Sequence, residues 1–325
     1  MRAMNPALVL LLLLAAAPAR ARFYTLENLP ESPAGFRRAY DAAVRLDVLD
    51  GAGDHCSAVV VSEDGYVLTN LHCVKQCLEE AGFLEKSAEQ FSGANYSILH
   101  IRDQRPADLV CPSLYWQDRD GAPHLNGRIE WLGRGNNTFL DPEVEIIPGP
   151  VFKKILENND DFALLKFDLP EPAVCVPLAR GAAAPGDRVW NIGYPGFTMR
   201  YDGFDSTGFK KHISLGAVTG DVRSDSYLSG VIRTEEQWRR EEAAYGAPAV
   251  LLSTTDSMHG SSGSMTINAA GELVSLHYSA TSPSALRMTQ DLGANALSLR
   301  AAAIAAELEA GLGAEMAEKI FSCPR

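Results

Sequence analysis

Short runs of β-branched and apolar residues, separated by turn residues, recur along most of the chain after residue 50. The first two, 56–62 and 66–70, are joined by Glu63, Asp64 and Gly65. Two such runs joined by a short turn that contains Asp-Gly are typical of a β-hairpin. Further strand-like runs lie at 162–167, 188–194, 250–254, 264–268 and 272–278. The pattern predicts many short strands rather than alternating strands and helices.

Helical spacing of apolar residues lies at the two ends of this pattern. Residues 32–49 precede the first hairpin, and residues 296–321 follow the last strand-like run. The stretch 91–150 mixes strand-like pieces with loops and indicates no order of elements. We therefore expect a mainly β protein with two six-stranded β-barrels, extra helices and a C-terminal helix. The first barrel would span about residues 22–180 and the second about 181–325.

The first residues have the pattern of an export signal. Arg2 supplies positive charge, residues 8–17 form an apolar run, and Ala19-Arg20-Ala21 has the form that signal peptidase recognises. The apolar run is shorter than the ~20 residues that a spanning helix needs, which disfavours the alternative of an N-terminal anchor. We expect a signal peptide over residues 1–21, a secreted or periplasmic mature protein over residues 22–325, and no membrane span after cleavage.

The charge of the chain excludes one large class of partner. The 325 residues have a formal net charge of -12, and no local cluster of Lys and Arg forms a basic patch on this acidic chain. Phosphate backbones repel such a surface, so nucleic-acid binding is not expected.

The cysteines predict disulfides. Their number is even, which favours pairing in an oxidising compartment, and no ligand spacing indicates a metal site. The six are Cys56, Cys73, Cys77, Cys111, Cys175 and Cys323. The hairpin would return Cys73 to the side of Cys56, so we predict that pair. The other four allow three pairings, of which we favour Cys77–Cys111 with Cys175–Cys323.

A serine flanked by glycines is the sharpest chemical feature. Ser262 lies in His-Gly-Ser-Ser-Gly-Ser between two strand-like runs. Gly260 can adopt backbone angles that direct its N–H at a substrate carbonyl, so the N–H groups of Gly260 and Ser262 would form an oxyanion hole. Each such donor is worth ~3 kcal/mol at a transition state. The alternative is an ordinary Ser/Gly turn of a β protein.

A histidine and an aspartate complete a candidate triad. His72 follows the first hairpin, and Asp161 directly precedes the apolar run 162–167, where a half-buried carboxylate can orient an imidazole. Asp160 would point the other way in an extended chain. The alternatives are a surface histidine beside a structural cysteine and a solvated aspartate. We predict Ser262 as nucleophile, His72 as base and Asp161 as the residue that orients the base.

These segments resemble the chymotrypsin-fold serine peptidases, in the order His, Asp, Ser. Thr-Asn-x-His, Asp-Phe-Ala-Leu-Leu and Gly-x-Ser-Gly-Ser are similar to the motifs of the HtrA group. A closer resemblance, to the bacterial dipeptidyl-peptidase VII and XI type, is scattered over most of residues 52–320. It is carried by the segments 61–73, 82–86, 161–166, 192–201, 253–264 and 271–274 and by the closing helix after 298–300. The resemblance places the triad on His72, Asp161 and Ser262.

The chain also departs from that type. Only residues 202–249 lie where the resembled family has a large helical insertion that holds the free N-terminus of the substrate. A segment this short implies an open cleft, and therefore an endopeptidase rather than an enzyme that releases dipeptides. Ser261 stands where the family usually has Asn and animal trypsin-like enzymes have Asp, so we expect no activation by a newly cut N-terminus. Leu71 replaces a second histidine, which should be tolerated.

The resemblance also marks a specificity pocket. In trypsin-like enzymes an acid six residues before the nucleophile, here Asp256, lies at the base of the primary pocket and attracts Arg or Lys. The dipeptidyl-peptidase type carries Asp at this offset without a shared basic preference, so a structural role for Asp256 stays open. His277, Tyr278 and Ser279 would form a pocket wall by their position after the nucleophile's strand.

The function expected from the sequence is that of an exported serine peptidase that acts on peptides or proteins and needs no cofactor. Alternatives are a dipeptidyl-peptidase-like exopeptidase and a catalytically silent binding protein that retains the fold. An esterase of the α/β-hydrolase type is disfavoured, because Gly-x-Ser-x-Gly is absent around Ser262. Activity should fall below about pH 6.5, where an unperturbed histidine becomes protonated.

Overall fold

The computed structural model describes residues 23–48, 55–91, 94–101, 103, 105–106, 109–117, 123–133, 139–140, 161–195, 210–221, 239, 243, 249–257, 260–281 and 295–324. The signal peptide expected over residues 1–21 lies outside these residues. The described strands are β1 (Phe23–Tyr24), β2 (Ala43–Val48), β3 (His55–Val60), β4 (Tyr66–Thr69), β5 (Leu84–Phe91), β6 (Ala94–Ile101), β7 (Val110–Gln117), β8 (Pro123–Leu132), β9 (Phe139–Leu140), β10 (Ala163–Lys166), β11 (Arg188–Gly193), β12 (His212–Asp221), β13 (Val250–Ser253), β14 (Met265–Ile267), β15 (Leu273–Thr281) and β16 (Asn295–Arg300). The described helices are α1 (Phe36–Ala42), a 3₁₀ turn (Leu71–Val74), α2 (Lys75–Glu80), α3 (Ala301–Leu312) and α4 (Ala314–Ile320).

Six strands form a closed barrel in the order β10-β4-β3-β2-β7-β8. The predicted hairpin is the β3–β4 pair, in which Val59 lies opposite Leu68. Gly65, in the turn, has φ +87°, and a Cβ there would lie 2.5 Å from the carbonyl oxygen of Phe167. The turn therefore requires glycine for both conformation and space. Because β4 also pairs with β10, with Ala163 opposite Thr69, the ends of these two strands meet at one rim of the barrel.

A second sheet has the order β1-β12-β11-β14-β15-β16-β13, and a further pairing of the end strand β13 with β12 closes the six strands other than β1 into a ring. The short strand β1 pairs with Ile213 and Ser214 of β12, so the first described residues lie on this second sheet. Both units consist of antiparallel strands. The predicted mainly β architecture with two barrels is confirmed, whereas the proposed boundary between them near residue 180 stays a prediction.

The helix expected over residues 32–49 is too long. Helix α1 ends at Ala42, and the following residues form β2, between β3 and β7 of the first barrel. Val44 and Leu46 are buried and alternate with Arg45 and Asp47 in the sequence, which is a period of two. That alternation favours a strand once neighbours are available on both sides.

The closing helix expected over residues 296–321 is also shorter than the pattern suggests. Its first residues belong to β16, which pairs with β13 and β15. The helical part is divided into α3 and α4 at Gly313, which has φ +92°. The unassigned stretch 91–150 supplies β7 and β8 to the first barrel, and β6 and β9 to a separate three-stranded sheet with β5.

The main apolar cluster of the described residues joins both barrels, and two smaller clusters are formed mainly by strands of the second sheet. The main cluster includes Val59 and Leu165 from the first barrel, Ile192 and Leu276 from the second, and Ile304 from α3, all of them fully buried. Such a core packs residues from both units against one another and makes their burial interdependent. No helix within the described ranges has the length and apolar character of a membrane span.

Three disulfides join the six cysteines. Cys56–Cys73, Cys77–Cys111 and Cys175–Cys323 have Cα–Cα distances of 6.1, 5.7 and 5.7 Å, within the normal range for a disulfide. The predicted Cys56–Cys73 pair is confirmed, and the favoured choice among the three remaining pairings is the one observed. The Arg38 Nε donates to the Cys175 carbonyl at 2.8 Å, and its Nη2 lies 3.0 Å from the Cys323 Sγ.

We expect the double replacement of Cys175 and Cys323 by Ser to lower the free energy of unfolding by about 2 to 5 kcal/mol. This disulfide closes the longest loop, with a sequence separation of 148 against 34 for Cys77–Cys111. A longer loop means that the bridge removes more entropy from the unfolded chain. Urea unfolding of this variant and of the matching double variant of Cys77 and Cys111 compares the two losses of free energy. A larger loss for the Cys77–Cys111 variant would contradict the argument.

Candidate active site

His72 and Asp161 meet where β4 and β10 end. Because Ala163 lies opposite Thr69 in the antiparallel pair, the residues just beyond these strand ends are close together. The His72 Nδ1 donates to the Asp161 Oδ2 at 2.6 Å, and the His72 backbone N–H donates to the Asp161 Oδ1 at 3.1 Å. The carboxylate thus holds both the ring and the backbone of one residue. The Asn70 Nδ2 donates to the Asp161 carbonyl at 2.7 Å and anchors the same segment.

The environment of His72 favours its protonated form. Burial by itself lowers the pKa of His72, but the negative charge of Asp161 and the hydrogen bond that His72 donates to Asp161 more than offset this and raise the pKa above its ordinary value. The Asp161 side chain is only 8% exposed, whereas the His72 side chain is 36% exposed. The imidazole is therefore oriented from its buried side and remains accessible to solvent and substrate.

Ser262 lies on a tight turn between β13 and β14. Gly260 and Gly263 have φ +86° and +80°. The Ser264 N–H donates to the Ser261 carbonyl at 2.9 Å, and the Gly263 N–H donates to the His277 carbonyl at 2.9 Å. A Cβ on Gly263 would overlap the carbonyl of Ser57, so only glycine fits there. Ser262 is half-buried, whereas Ser261 is buried, which leaves Ser262 the more accessible of the two serines.

The turn that carries Ser262 is tied to the segment that carries His72. The Ser57 N–H donates to the Ser262 carbonyl at 2.7 Å. Ser57 directly follows Cys56, whose disulfide partner Cys73 directly follows His72. One disulfide and one hydrogen bond therefore connect the segments that carry His72 and Ser262 through Cys56 and Ser57.

Of the residues predicted to line a specificity pocket, His277 contacts this turn, because its carbonyl accepts from the Gly263 N–H. Asp256 is half-buried, and its backbone N–H donates to the Ser214 Oγ at 2.7 Å. His277 is buried, and burial, together with the charge of His72, lowers its pKa to about 4. Tyr278 is half-buried against the apolar cluster of Val250, Leu252 and Leu297. Ser279 pairs with Leu297 in the β15–β16 ladder, just past a register shift.

One group of potential metal ligands occurs among the described residues. Atoms of Cys56, His72 and Cys73 lie within 4.8 Å of one another. Both sulfur atoms belong to the same disulfide and therefore offer no thiolate to a cation. The group is better explained by the base lying beside a structural bridge.

Three polar contacts of the site were not predicted. Ser57 and Asn70 are fully buried and bond to backbone groups of the turn and of Asp161, and the Tyr194 N–H donates to the Ser57 Oγ at 2.8 Å. Asn70 stands in the Thr-Asn-x-His string, where a polar residue in an apolar strand end was a visible signal. Ser57 and Tyr194 are 137 residues apart, and no local pattern relates them.

Comparison with known proteins shows the family of this chain. A family model described as a trypsin-like peptidase domain matches residues 56–276, which is more than half of the chain and includes His72, Asp161 and Ser262. No curated protein matches the chain.

Two solved structures show the likeness at low identity. The HtrA-type protease AlgW with tripeptide has a TM-score of 0.47 and 17% identity, over 86% of this chain and 62% of that chain. The serine endoprotease from Yersinia pestis has a TM-score of 0.43 and 14% identity, over 90% of this chain and 68% of that chain. The family match, which does not depend on these likenesses, supports a serine peptidase. The chain belongs to the family of trypsin-like peptidase domains.

Proposed function

We propose that the protein is an exported serine endopeptidase that forms an acyl-enzyme on Ser262, with His72 as the base and Asp161 as its orienting partner. The observation that carries the proposal is the double hydrogen bond from His72 to the buried Asp161 carboxylate, on a segment bridged to the Ser262 turn. A histidine held through Nδ1 presents its Nε2 to a hydroxyl, which is the arrangement that acyl transfer requires.

In the proposed reaction the Ser262 Oγ attacks the carbonyl carbon of the substrate while His72 accepts the hydroxyl proton. The tetrahedral intermediate collapses when His72 gives that proton to the leaving amine, and the C–N bond breaks. Water then attacks the acyl-enzyme, again with His72 as base, and releases Ser262. The Asp161 carboxylate stabilises the imidazolium through the 2.6 Å hydrogen bond.

The N–H groups of Gly260 and Ser262 are the proposed oxyanion hole. The Ser261 carbonyl accepts a hydrogen bond from the Ser264 N–H on the core side of the turn. In a trans peptide the C=O and N–H groups point in opposite directions, so this bond turns the Ser262 N–H away from Ser264. The positive φ of Gly260 is the conformation that the second donor needs.

Cleavage of a peptide library, analysed by mass spectrometry, tests the substrate class. An endopeptidase makes cuts inside long peptides, whereas a dipeptidyl-peptidase-like exopeptidase releases dipeptides from free N-termini. A preference for Arg or Lys before the cut would assign Asp256 to the primary pocket, and its absence would favour the structural role. Labelling by a fluorophosphonate probe shows whether the folded protein has a reactive serine. No labelling would favour a catalytically silent binding protein.

We expect the acid limb of the kcat/KM profile to have its midpoint above pH 6.5. The base must be neutral to accept a proton, and the raised pKa of His72 keeps it protonated to a higher pH than an ordinary histidine. The expected fall in activity thus begins nearer neutrality than the sequence alone suggests. Initial rates at low substrate concentration over about pH 5 to 9 measure the limb. A midpoint at or below 6.5 would show that burial outweighs the charge of Asp161.

A further inference from the structure

The N–H, the hydroxyl and the carbonyl of Ser57 all form hydrogen bonds with other parts of the chain. It is fully buried in β3, and its N–H donates to the Ser262 carbonyl at 2.7 Å. Its Oγ donates to the Gly260 carbonyl at 2.9 Å and accepts from the Tyr194 N–H at 2.8 Å. Its carbonyl accepts from the Thr69 Oγ1 at 2.9 Å. One residue of the first barrel thereby holds two carbonyls of the turn and the end of β11.

These bonds fix successive peptide planes of the turn. The Ser57 Oγ holds the plane that follows Gly260, and the Ser57 N–H holds the plane that follows Ser262. The plane between Ser261 and Ser262 is held separately by the Ser264 N–H. Because a peptide plane rotates as a unit, the direction of each N–H follows from the anchoring of the carbonyls around it. The Ser262 N–H therefore lies between two planes that Ser57 anchors.

We propose that Ser57 is a positioning residue whose hydroxyl keeps the 260–262 turn in the shape of a working oxyanion hole. The inference rests on the proposed peptidase function, to which it adds a residue that does not touch the substrate. Among the described residues, both hydrogen bonds of the Ser57 hydroxyl lead out of its own barrel, which distinguishes it from a serine that only stabilises a strand.

The region around the Ser57 side chain is closely packed. A Cβ on Gly193 would lie 2.7 Å from the Ser57 Oγ, and a Cβ on Gly263 would overlap the Ser57 carbonyl. Removing the hydroxyl would leave the Gly260 carbonyl and the Tyr194 N–H without this partner in a buried place. Such groups regain hydrogen bonds by rotating, so the turn would sample other shapes.

Ser62 provides a matched control. It is also a fully buried serine of the first barrel, and its Oγ accepts from the Tyr66 N–H at 3.2 Å within its own hairpin. Ser57→Ala is expected to lower kcat about 10- to 100-fold with little change in KM, which stays below the 10²- to 10³-fold cost of losing an oxyanion donor outright. Ser62→Ala should leave both constants unchanged. The affinity for a peptide aldehyde, which mimics the tetrahedral intermediate, should fall with kcat in Ser57→Ala alone.

Amide hydrogen exchange of residues 260–264 is a second measurement that does not need activity. Exchange in this turn should be faster in Ser57→Ala than in the wild type or in Ser62→Ala. Unchanged kcat and unchanged exchange would overturn the proposal, and so would equal losses in the two variants. If Ser57→Ala does not fold, Ser57→Cys, which keeps the size and a weak donor, undergoes the same measurements.

The two proposals fail in different ways. A wild type that neither cleaves peptides nor labels with a fluorophosphonate would remove the peptidase function, and the exchange rates would then decide alone whether Ser57 holds the turn. An active wild type with an unaffected Ser57→Ala variant would keep the peptidase and remove the role of Ser57.

Discussion

Replacement of Ser262 by Ala is expected to lower kcat for peptide hydrolysis by about 10⁶-fold. The variant loses the nucleophile, whereas the N–H donors and the substrate contacts remain and sustain only a small residual rate. Fluorophosphonate labelling should disappear with the activity. Single-turnover assays with excess enzyme measure the residual rate, and urea unfolding should show a stability close to that of the wild type, because the Ser262 side chain is only half-buried.

The neighbouring Ser261 is the matched control for this experiment. Its side chain is buried, so Ser261→Ala is expected to retain labelling and most of the activity. The pair of variants decides which of two adjacent serines reacts. Loss of labelling in Ser261→Ala with retention in Ser262→Ala would exchange their roles and contradict the proposed site.

Replacement of Asp161 by Asn is expected to lower kcat by about 10⁴-fold. The amide carries no charge to stabilise an imidazolium, and it can present an N–H where the His72 Nδ1 needs an acceptor. The same change removes the charge that raises the pKa of His72, so the acid limb of the kcat/KM profile should move to lower pH. Profiles of the two proteins over the same pH range measure both effects.

Asp168→Asn is the control for Asp161→Asn. Asp168 follows the other end of the same strand, β10, where its side chain is 88% exposed and lies 3.6 Å from the Lys166 Nζ. An exposed ion pair of this kind contributes little to stability, so this variant should keep the activity and pH profile of the wild type. An Asp161→Asn variant with an unshifted acid limb would show that another group sets the pKa of the base.

Local patterns predicted the parts of the site that lie beside regular strands. The β3–β4 hairpin follows from two β-branched runs around Asp64-Gly65, and the pairing of Cys56 with Cys73 follows from that hairpin. Local patterns were not sufficient to predict the contact of Asp161 with His72, because it depends on β10 pairing with β4 across about ninety residues of sequence. The apolar run after Asp161 indicated a strand, and the two-barrel architecture supplied its neighbour.

Other parts depended on partners that a sequence pattern does not contain. The alternation of residues 43–48 is compatible with the end of an amphipathic helix until β3 and β7 supply hydrogen bonds on both sides. Ser57 was visible only as a small residue in a strand-like run. Its role arises from Gly260, Ser262 and Tyr194, which lie more than a hundred residues away. Buried polar residues with such distant partners are the least predictable class of contact.

The shared apolar core has a consequence for how the protein loses its activity. Val59 of one barrel and Leu276 of the other belong to the same buried cluster, and β1 adds the first described residues to the second sheet. Unfolding of either barrel would uncover apolar surface on its neighbour, so each barrel is less stable without the other. The loss of catalysis on heating should therefore coincide with the first loss of tertiary structure, because neither barrel keeps its full burial alone.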